Sequence, residues 1–391
     1  MKEKNNSLLL LILSLAIFGI ITTELSIIGL LPQLISQLNI NAAEVGLLIS
    51  AYALVVTITG PFITLLMLGL NKKSVLLSIM LLFVVSNLVY AFTRDYNTMM
   101  LFRVLPALMH APFFAVTLVV ASNLVAPEYQ ARATAKVFAG IAVGLVLGVP
   151  LSAFIAVHSS LTFAFLFGAL VNGLAFVSIL LLMPSMPIVE KISFGKQLSI
   201  LRKGRLWLTT STVVFVFAAM FSSYSFIAKY LHDITHMSGT WISIMLMVFG
   251  TFGILGNFIF SALLQKNVDF TVIFYPVLFI GVYLLIYSFG FSFSLMIGLT
   301  MLWGLLHAGG VIVSQTWLAG EAQEAPEFAN SLFVSFSNLG ITVGTALAGG
   351  FIIHFGTHNL VWVGILFAGL ALFSILSKIF ISSRARPKLP N

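Results

Sequence analysis

One apolar stretch, Leu101 to Val120, contains both an arginine and a histidine in the run LFRVLPALMHAPFFAVTLVV. Arg103 and His110 are seven residues apart and Thr117 follows after seven more, so a helix places all three on one face. Ionisable side chains inside a membrane are costly unless they face the protein interior or a watery cavity. The spacing therefore predicts a polar path, where the imidazole can exchange a proton or bind an anionic or metal-bearing substrate.

A single acidic residue, Glu24, lies well inside a predicted membrane span, in the run IITTELSIIG. It is about two thirds of the way along the first apolar stretch, at a depth comparable with that of Arg103, so we expect the two to be partners. Two roles stay open for this carboxylate. It takes up and releases a coupling proton, or it forms a fixed ion pair with Arg103 that holds spans 1 and 4 together.

A second histidine, His307, occupies the tenth apolar stretch at about the same position as His110 in the fourth. If the chain repeats, the two imidazoles face each other near the middle of the membrane. Each then acts on a proton or substrate, or each is simply a hydrogen-bonding group between helices. The predicted proton-coupling set is Glu24, Arg103, His110 and His307.

Aromatic and polar side chains on the predicted cavity helices form a second candidate set. Aromatic rings can stack on a lipophilic substrate or hold a cation over their faces. Most of the 36 phenylalanines are expected to face lipid instead. The candidate substrate residues are Phe113, Phe114, Thr117, Tyr224, Phe226, Trp303 and Asn338.

The composition requires that these residues be carried on membrane helices. Of 391 residues, 60% are hydrophobic and 8% are charged, which excludes an ordinary soluble protein. Twelve apolar stretches of about 20 residues or more predict an all-α membrane protein with twelve transmembrane helices. The first is too long for a signal peptide, so we expect it to remain as a span.

Several other functions lack the residues they need. The sequence has no cysteine, and the pair His232 and His236 has no evident third ligand, so we expect no metal site and no other cofactor. No phosphate-binding loop of the G-x-x-x-x-G-K-[ST] type occurs, and the spans offer no convincing nucleophile. We therefore expect a protein that is not an enzyme and that takes its energy from an ion gradient.

The net charge of +8 follows from membrane topology. Placing both termini in the cytoplasm puts sixteen of the nineteen Lys and Arg residues on that side, and leaves only Arg94, Arg103 and Lys229 towards the outside. The basic residues thus predict a multi-pass protein of the cell membrane with both termini cytoplasmic. They give no reason to expect nucleic acid as a partner.

The sequence predicts two halves of six spans each. The longest polar break divides it into an N-terminal bundle at 1–183, a cytoplasmic linker at 184–205 and a C-terminal bundle at 206–391. The motif GPF at residue 60 returns as GNF at residue 256, an offset of 196 residues. Two parallel six-span repeats, forming pseudo-symmetric bundles, are typical of one large class of secondary transporters.

Glycines mark a second repeated pattern. Gly140, Gly144 and Gly148, followed by Pro150, remove side chains from one helix face and end in a residue that favours a kink. Such a face permits close helix approach, which serves either a conformational change or simple tight packing. The same pattern returns 200 residues later at Gly340 and Gly344.

Taken together, these residues resemble the major facilitator superfamily, and within it the twelve-span drug:proton antiporters related to arabinose and sugar efflux permeases. The resemblance covers essentially the whole chain. The matching stretches are Thr23-Glu24, Gly29-Leu30-Leu31-Pro32, Arg103 with His110 and Phe113-Phe114, Leu147-Gly148-Val149-Pro150-Leu151, Tyr224-Ser225-Phe226-Ile227, Phe249-Gly250, Gly256-Asn257 and Ser337-Asn338-Leu339-Gly340-Ile341.

The resemblance implies alternating access between two bundles. It implies that a small organic compound, such as a drug, sugar or related metabolite, is exported in exchange for protons. We expect the protein to act as a monomer. Arg103 matches the family's fourth-span arginine, which is associated with proton coupling, and the glycines with Pro150 match its fifth-span antiporter motif, which favours efflux. One stretch departs: residues 67–73, MLGLNKK, keep the basic pair of the loop after span 2 but lack its Asp and Arg. A different inner-gate closure is therefore expected.

Two alternatives remain. A proton-linked importer would keep the fold and reverse the direction. A non-transporting membrane sensor would be expected to carry a soluble domain, for which the sequence offers no segment outside the spans longer than the linker.

Overall fold

The computed structural model describes residues 2–68, 70–126, 129–186, 202–322 and 326–384. Twelve of its helical segments are long and apolar enough to cross a membrane, which confirms the predicted all-α architecture. The spans are Lys2–Leu38 (span 1), Ala42–Leu68 (2), Lys72–Phe92 (3), Tyr96–Asn123 (4), Gln130–Val143 with Gly144–Gly148 and Val149–His158 (5), Leu161–Leu182 (6), Gly204–Tyr224 with Ile227–Asp233 (7), Gly239–Lys266 (8), Val268–Phe289 (9), Phe293–Ala319 (10), Pro326–Phe355 (11) and Thr357–Leu360 with Val361–Arg384 (12).

Polar side chains begin several of these helices. Asp95 caps span 4, where its Oδ2 accepts hydrogen bonds from both the hydroxyl and the backbone N–H of Thr98, each at 2.7 Å. These bonds lower the pKa of Asp95, which lies between spans 3 and 4. Asn71, Ser160 and Asn267 cap spans 3, 6 and 9 in the same way. Each cap satisfies backbone donors that the first helical turn leaves unpaired.

Span 5 contains a distortion at its glycines. Residues Gly144–Gly148 form a π-helical turn, and Pro150 lies in the first turn of the helix that follows. Span 1 packs directly on this stretch: a Cβ on Gly140 would overlap the backbone oxygen of Ser14, and one on Gly148 would overlap the hydroxyl of Thr22. The glycines are therefore required for the close approach of spans 1 and 5.

The second half repeats this contact between spans 7 and 11. A Cβ on Gly340 would overlap the backbone oxygen of Val214, and one on Gly344 would overlap that of Ala218. Val214 follows Ser14 by 200 residues, the same offset that separates Gly340 from Gly140. The repeat that the glycine pattern predicted is thus present in the packing of both halves.

Replacing Gly344 by alanine is expected to lower the free energy of unfolding by about 1–3 kcal/mol, because the added methyl group must displace helix backbone. Thermal unfolding of the purified protein in detergent measures this. Gly350→Ala is the matched control in the same helix, since a Cβ there meets nothing within 4 Å. That variant should unfold at the wild-type temperature or slightly above it, because alanine favours helix over glycine. Equal destabilisation by both variants would contradict the packing argument.

By its internal contacts the chain divides into two units: Met1–Lys191 with Phe226–Gly250, and Ile192–Ser225 with Thr251–Asn391. The segment Phe226–Gly250, the end of span 7 and the start of span 8, therefore packs within the first unit. There, Gly29 lies against Leu246. The sequence did not predict this grouping. Most of the predicted linker, residues 187–201, lies outside the described residues, and the predicted division at 183 and 205 stays a prediction.

Two residues after span 2, Asn71 and Lys73 of the basic pair, have a local role within the first unit. Lys73 donates from its ammonium group to the carbonyl of Leu180 in the last turn of span 6, at 2.8 Å. Asn71 donates to the hydroxyl of Ser185 at 2.7 Å. A cation at a helix C-terminus is favoured by the partial negative charge there. The stretch that departs from the family pattern thus ties span 3 to the end of span 6.

Candidate functional site

The candidate site begins with Glu24 of span 1 and His110 of span 4. The carboxylate Oε2 lies 3.5 Å from the imidazole Nδ1, and the two side chains are 12% and 9% exposed. The hydroxyl of Tyr52, on span 2, lies 2.9 Å from the same ring nitrogen. A carboxylate, an imidazole and a phenol therefore lie close together within the first unit, and the phenol is within hydrogen-bond distance of the imidazole.

Arg103 lies beside this group and is buried. Its Nε donates to the carbonyl of Leu48 at 3.1 Å and one terminal nitrogen donates to the carbonyl of Thr23 at 3.1 Å. The other terminal nitrogen donates to the backbone oxygen of Glu24. The guanidinium carbon also lies 4.6 Å from the centre of the Tyr52 ring. Arg103 thus joins spans 1, 2 and 4 through a fork of donors that only arginine provides.

Glu24 and Arg103 do meet, but through the main chain. Arg103 binds the backbone oxygen of Glu24, whereas the carboxylate lies 3.5 Å from Nδ1 of His110. A fixed side-chain ion pair between Glu24 and Arg103 is therefore not the arrangement in the structure. The carboxylate therefore lies beside an imidazole, a side chain that can accept or release a proton.

The second unit places His307 in a corresponding contact. Its ring lies 4.6 Å from that of Tyr224 and 5.2 Å from that of Phe221, measured between centroids. Tyr224 follows Glu24 by 200 residues, and His307 follows His110 by 197. The same two positions of the repeat are thus in contact in each unit. In the first unit they are the carboxylate of Glu24 and the imidazole of His110, and in the second unit they are the phenol ring of Tyr224 and the imidazole of His307.

The predicted substrate residues are mostly buried within their units. Phe114 is half-buried and lies 4.8 Å from the ring of His110, while Phe113 packs edge-on against Phe114. Trp303 packs against Tyr283, with ring centres 6.0 Å apart. The amide of Asn338 donates to the carbonyl of Val334. The remaining candidates, Thr117, Tyr224 and Phe226, are also buried.

The predicted polar face of span 4 is buried inside the first unit, since Arg103, His110 and Thr117 all lie there. Sequence reasoning did not single out four polar side chains. Tyr52 contacts His110, and the carbonyl of Thr23 binds Arg103. Asn87 and Asn172 bind the hydroxyl of Thr23. Each is a polar residue within an apolar span, and that was the available signal. Buried polar side chains in membrane helices tend to bond neighbouring helices.

Twelve apolar spans in the described residues, arranged as two repeats and enclosing buried ionisable groups, are typical of polytopic membrane transporters. The family model for the Major Facilitator Superfamily matches residues 11–325 of this chain. The chain belongs to the Major Facilitator Superfamily, and it is a transporter of small substrates.

Individual relatives cover nearly the whole chain. It is 31% identical to the inner membrane transport protein YdhP of Escherichia coli (strain K12) over 386 residues, 97% of each protein. It is 28% identical to a probable sugar efflux transporter of Helicobacter pylori (strain HPAG1), covering 93% of each. Its fold is similar to that of the solved nucleoside transporter NupG, with a TM-score of 0.74, 14% identity and coverage of 97% and 99%.

Proposed function

We propose that this protein exports a small organic compound in exchange for protons, and that Glu24 carries the coupling proton. The observation that supports the proposal best is the placement of the Glu24 carboxylate beside His110, next to the buried Arg103. These groups bring acid, base and fixed positive charge together within one unit. The arrangement suits a site that can be neutralised by a proton.

The physical basis of exchange is the cost of an unbalanced charge in a low-dielectric interior. Arg103 supplies a permanent positive charge that three backbone carbonyls stabilise. The carboxylate of Glu24 gains a proton when the site opens outward, and loses it inward when substrate binds. Proton and substrate then alternate, because each favours a different charge on the same carboxylate.

Two features support the proposal, one for the coupled movement and one for export. The glycines of span 5, with their π-helical turn, pack on the span that carries Glu24, so a change in that packing can move the carboxylate. The relatives from Helicobacter pylori are named as probable sugar efflux transporters. We therefore propose a sugar, drug or related metabolite as substrate. We further propose that the protein works as a monomer in the cell membrane with both termini cytoplasmic.

The test uses purified protein in liposomes that contain a pH-sensitive dye. A proton gradient is imposed, and sugars, nucleosides and lipophilic cations are added in turn. Antiport predicts that a substrate drives proton movement in the opposite direction to its own, and that protein-free liposomes show none. Movement of proton and substrate in the same direction would identify an importer. Uphill substrate transport without proton movement would overturn proton coupling.

A further inference from the structure

A buried cluster of polar side chains lies behind the candidate site. The hydroxyl of Thr23, on span 1, accepts hydrogen bonds from the amides of Asn87 on span 3 and Asn172 on span 6, both at 2.9 Å. The same hydroxyl donates to the carbonyl of Gly19 at 2.9 Å. All three side chains are at least 97% buried. One hydroxyl thus joins three spans in the interior of the first unit.

The surrounding helices are shaped to hold this cluster. Gly168 and Gly19 are the neighbours of the two amides: a Cβ on Gly168 would overlap Oδ1 of Asn87, and one on Gly19 would lie 2.8 Å from Oδ1 of Asn172. Each amide also donates to a carbonyl of its own helix, that of Phe83 or Gly168, at 2.8 Å. Burying amides in an apolar interior is costly unless they are bonded in this way.

The cluster is connected to the charged site through one residue. Thr23 is bound by Asn87 and Asn172 through its hydroxyl, and by Arg103 through its carbonyl at 3.1 Å. The next carbonyl along the chain, that of Glu24, is a second acceptor for Arg103. The backbone that carries the Glu24 side chain is therefore held from two sides, by Arg103 and by the two asparagines.

We infer that Thr23, Asn87 and Asn172 are positioning residues for the proton site, because they fix the span 1 backbone on which both Arg103 and the Glu24 side chain depend. This inference rests on the proposed function of Glu24. In this role the three residues act through the backbone of span 1 and set the distance between the carboxylate, His110 and the guanidinium. Hydrogen-bonded networks in a low-dielectric interior hold such geometry tightly.

The test is the substitution Thr23→Val, which keeps the shape of the side chain and removes its hydroxyl. The asparagine amides keep their carbonyl partners, so the variant is expected to fold. The pH at which proton–substrate exchange is half-maximal should shift by about half a unit or more, which is about threefold in apparent proton affinity. Thr23→Ser retains the hydroxyl and should restore the wild-type midpoint.

Thr212→Val is the matched control. Thr212 lies on span 7, and its buried hydroxyl contacts Ser374 of span 12 at 3.0 Å and the carbonyl of Leu208 at 3.0 Å. This variant also removes a buried hydroxyl that joins two spans, but far along the sequence from Glu24 and in the second unit. It should lower thermal stability and leave the pH midpoint unchanged.

If Thr23→Val cannot be purified as folded protein, Gly168→Ala replaces it, since the added methyl group displaces the Asn87 amide without removing a polar group. A wild-type pH midpoint in the folded variant, with only a general loss of rate or stability as in Thr212→Val, would overturn the inference.

Glu24→Gln separates the two proposals. If Glu24→Gln retains proton coupling, the proposed function and this inference both fail; if it loses coupling while Thr23→Val keeps the wild-type midpoint, only this inference fails.

Discussion

Glu24→Gln is expected to abolish substrate-driven proton movement in liposomes, down to the rate seen without protein. The glutamine keeps the size and polarity of the side chain but cannot gain or lose a proton at neutral pH. In the structure the carboxylate lies 3.5 Å from Nδ1 of His110, so the variant also removes the negative charge beside that imidazole. Substrate binding, measured by equilibrium methods, should weaken and lose its pH dependence, because the neutral amide mimics the protonated carboxylate.

The matched control is Glu44→Gln. Glu44 lies in the first turn of span 2, where its carboxylate accepts a hydrogen bond from the backbone of Asn41 at 2.8 Å. This is a capping contact at the protein surface, so the same substitution there should leave exchange unchanged. Proton movement that persists in Glu24→Gln and disappears in His110→Gln would instead place coupling at the imidazole, and would contradict the role given to the carboxylate.

Arg103→Lys is expected to reduce transport severely and to lower the free energy of unfolding by about 2 kcal/mol, although the positive charge is retained. The guanidinium satisfies three backbone carbonyls on two other spans, those of Leu48, Thr23 and Glu24. A single ammonium nitrogen cannot reach all three, so most of these charge-assisted hydrogen bonds are lost. The measurements are exchange in liposomes and thermal unfolding in detergent.

Arg94→Lys provides the comparison for this substitution. Arg94 is exposed between spans 3 and 4, and it donates to the carbonyl of Thr93 at 3.0 Å. Surface contacts of this kind contribute little to stability, so the variant should behave as wild type. If Arg103→Lys were also fully active and equally stable, the charge alone would matter at this position, and the fork of hydrogen bonds would be irrelevant to function.

The two repeats carry different chemistry at equivalent positions. The first unit has Glu24 and Arg103, whereas the positions 200 and 197 residues later are occupied by Tyr224 and Thr300. The histidine, by contrast, is present in both repeats, as His110 and His307. The buried carboxylate and guanidinium of the candidate site therefore belong to the first repeat alone, and the second repeat presents aromatic rings to its histidine. For this reason the substitutions with the largest expected effects lie in the first unit.

The twelve spans and the internal repeat were predictable from the order of the residues. An apolar run of sufficient length is a local property, so hydropathy identified each span without knowledge of its neighbours. The glycine pattern identified the repeat because close helix approach needs small side chains at fixed spacing, and the predicted pairs Gly140 with Gly340 and Gly144 with Gly344 occupy equivalent contacts. The sequence also singled out the ionisable residues, since any such residue is conspicuous in an apolar span.

Which of these residues are in contact became clear from the folded chain. Comparable depth suggested Arg103 as the partner of Glu24, but the carboxylate faces His110 and the guanidinium binds main-chain carbonyls. The cluster of Thr23, Asn87 and Asn172 joins three spans that are far apart in sequence. The physical reason is that spans apolar on all sides carry little information about their rotation. Which face meets which neighbour is fixed by packing between helices, and that is a property of the folded chain.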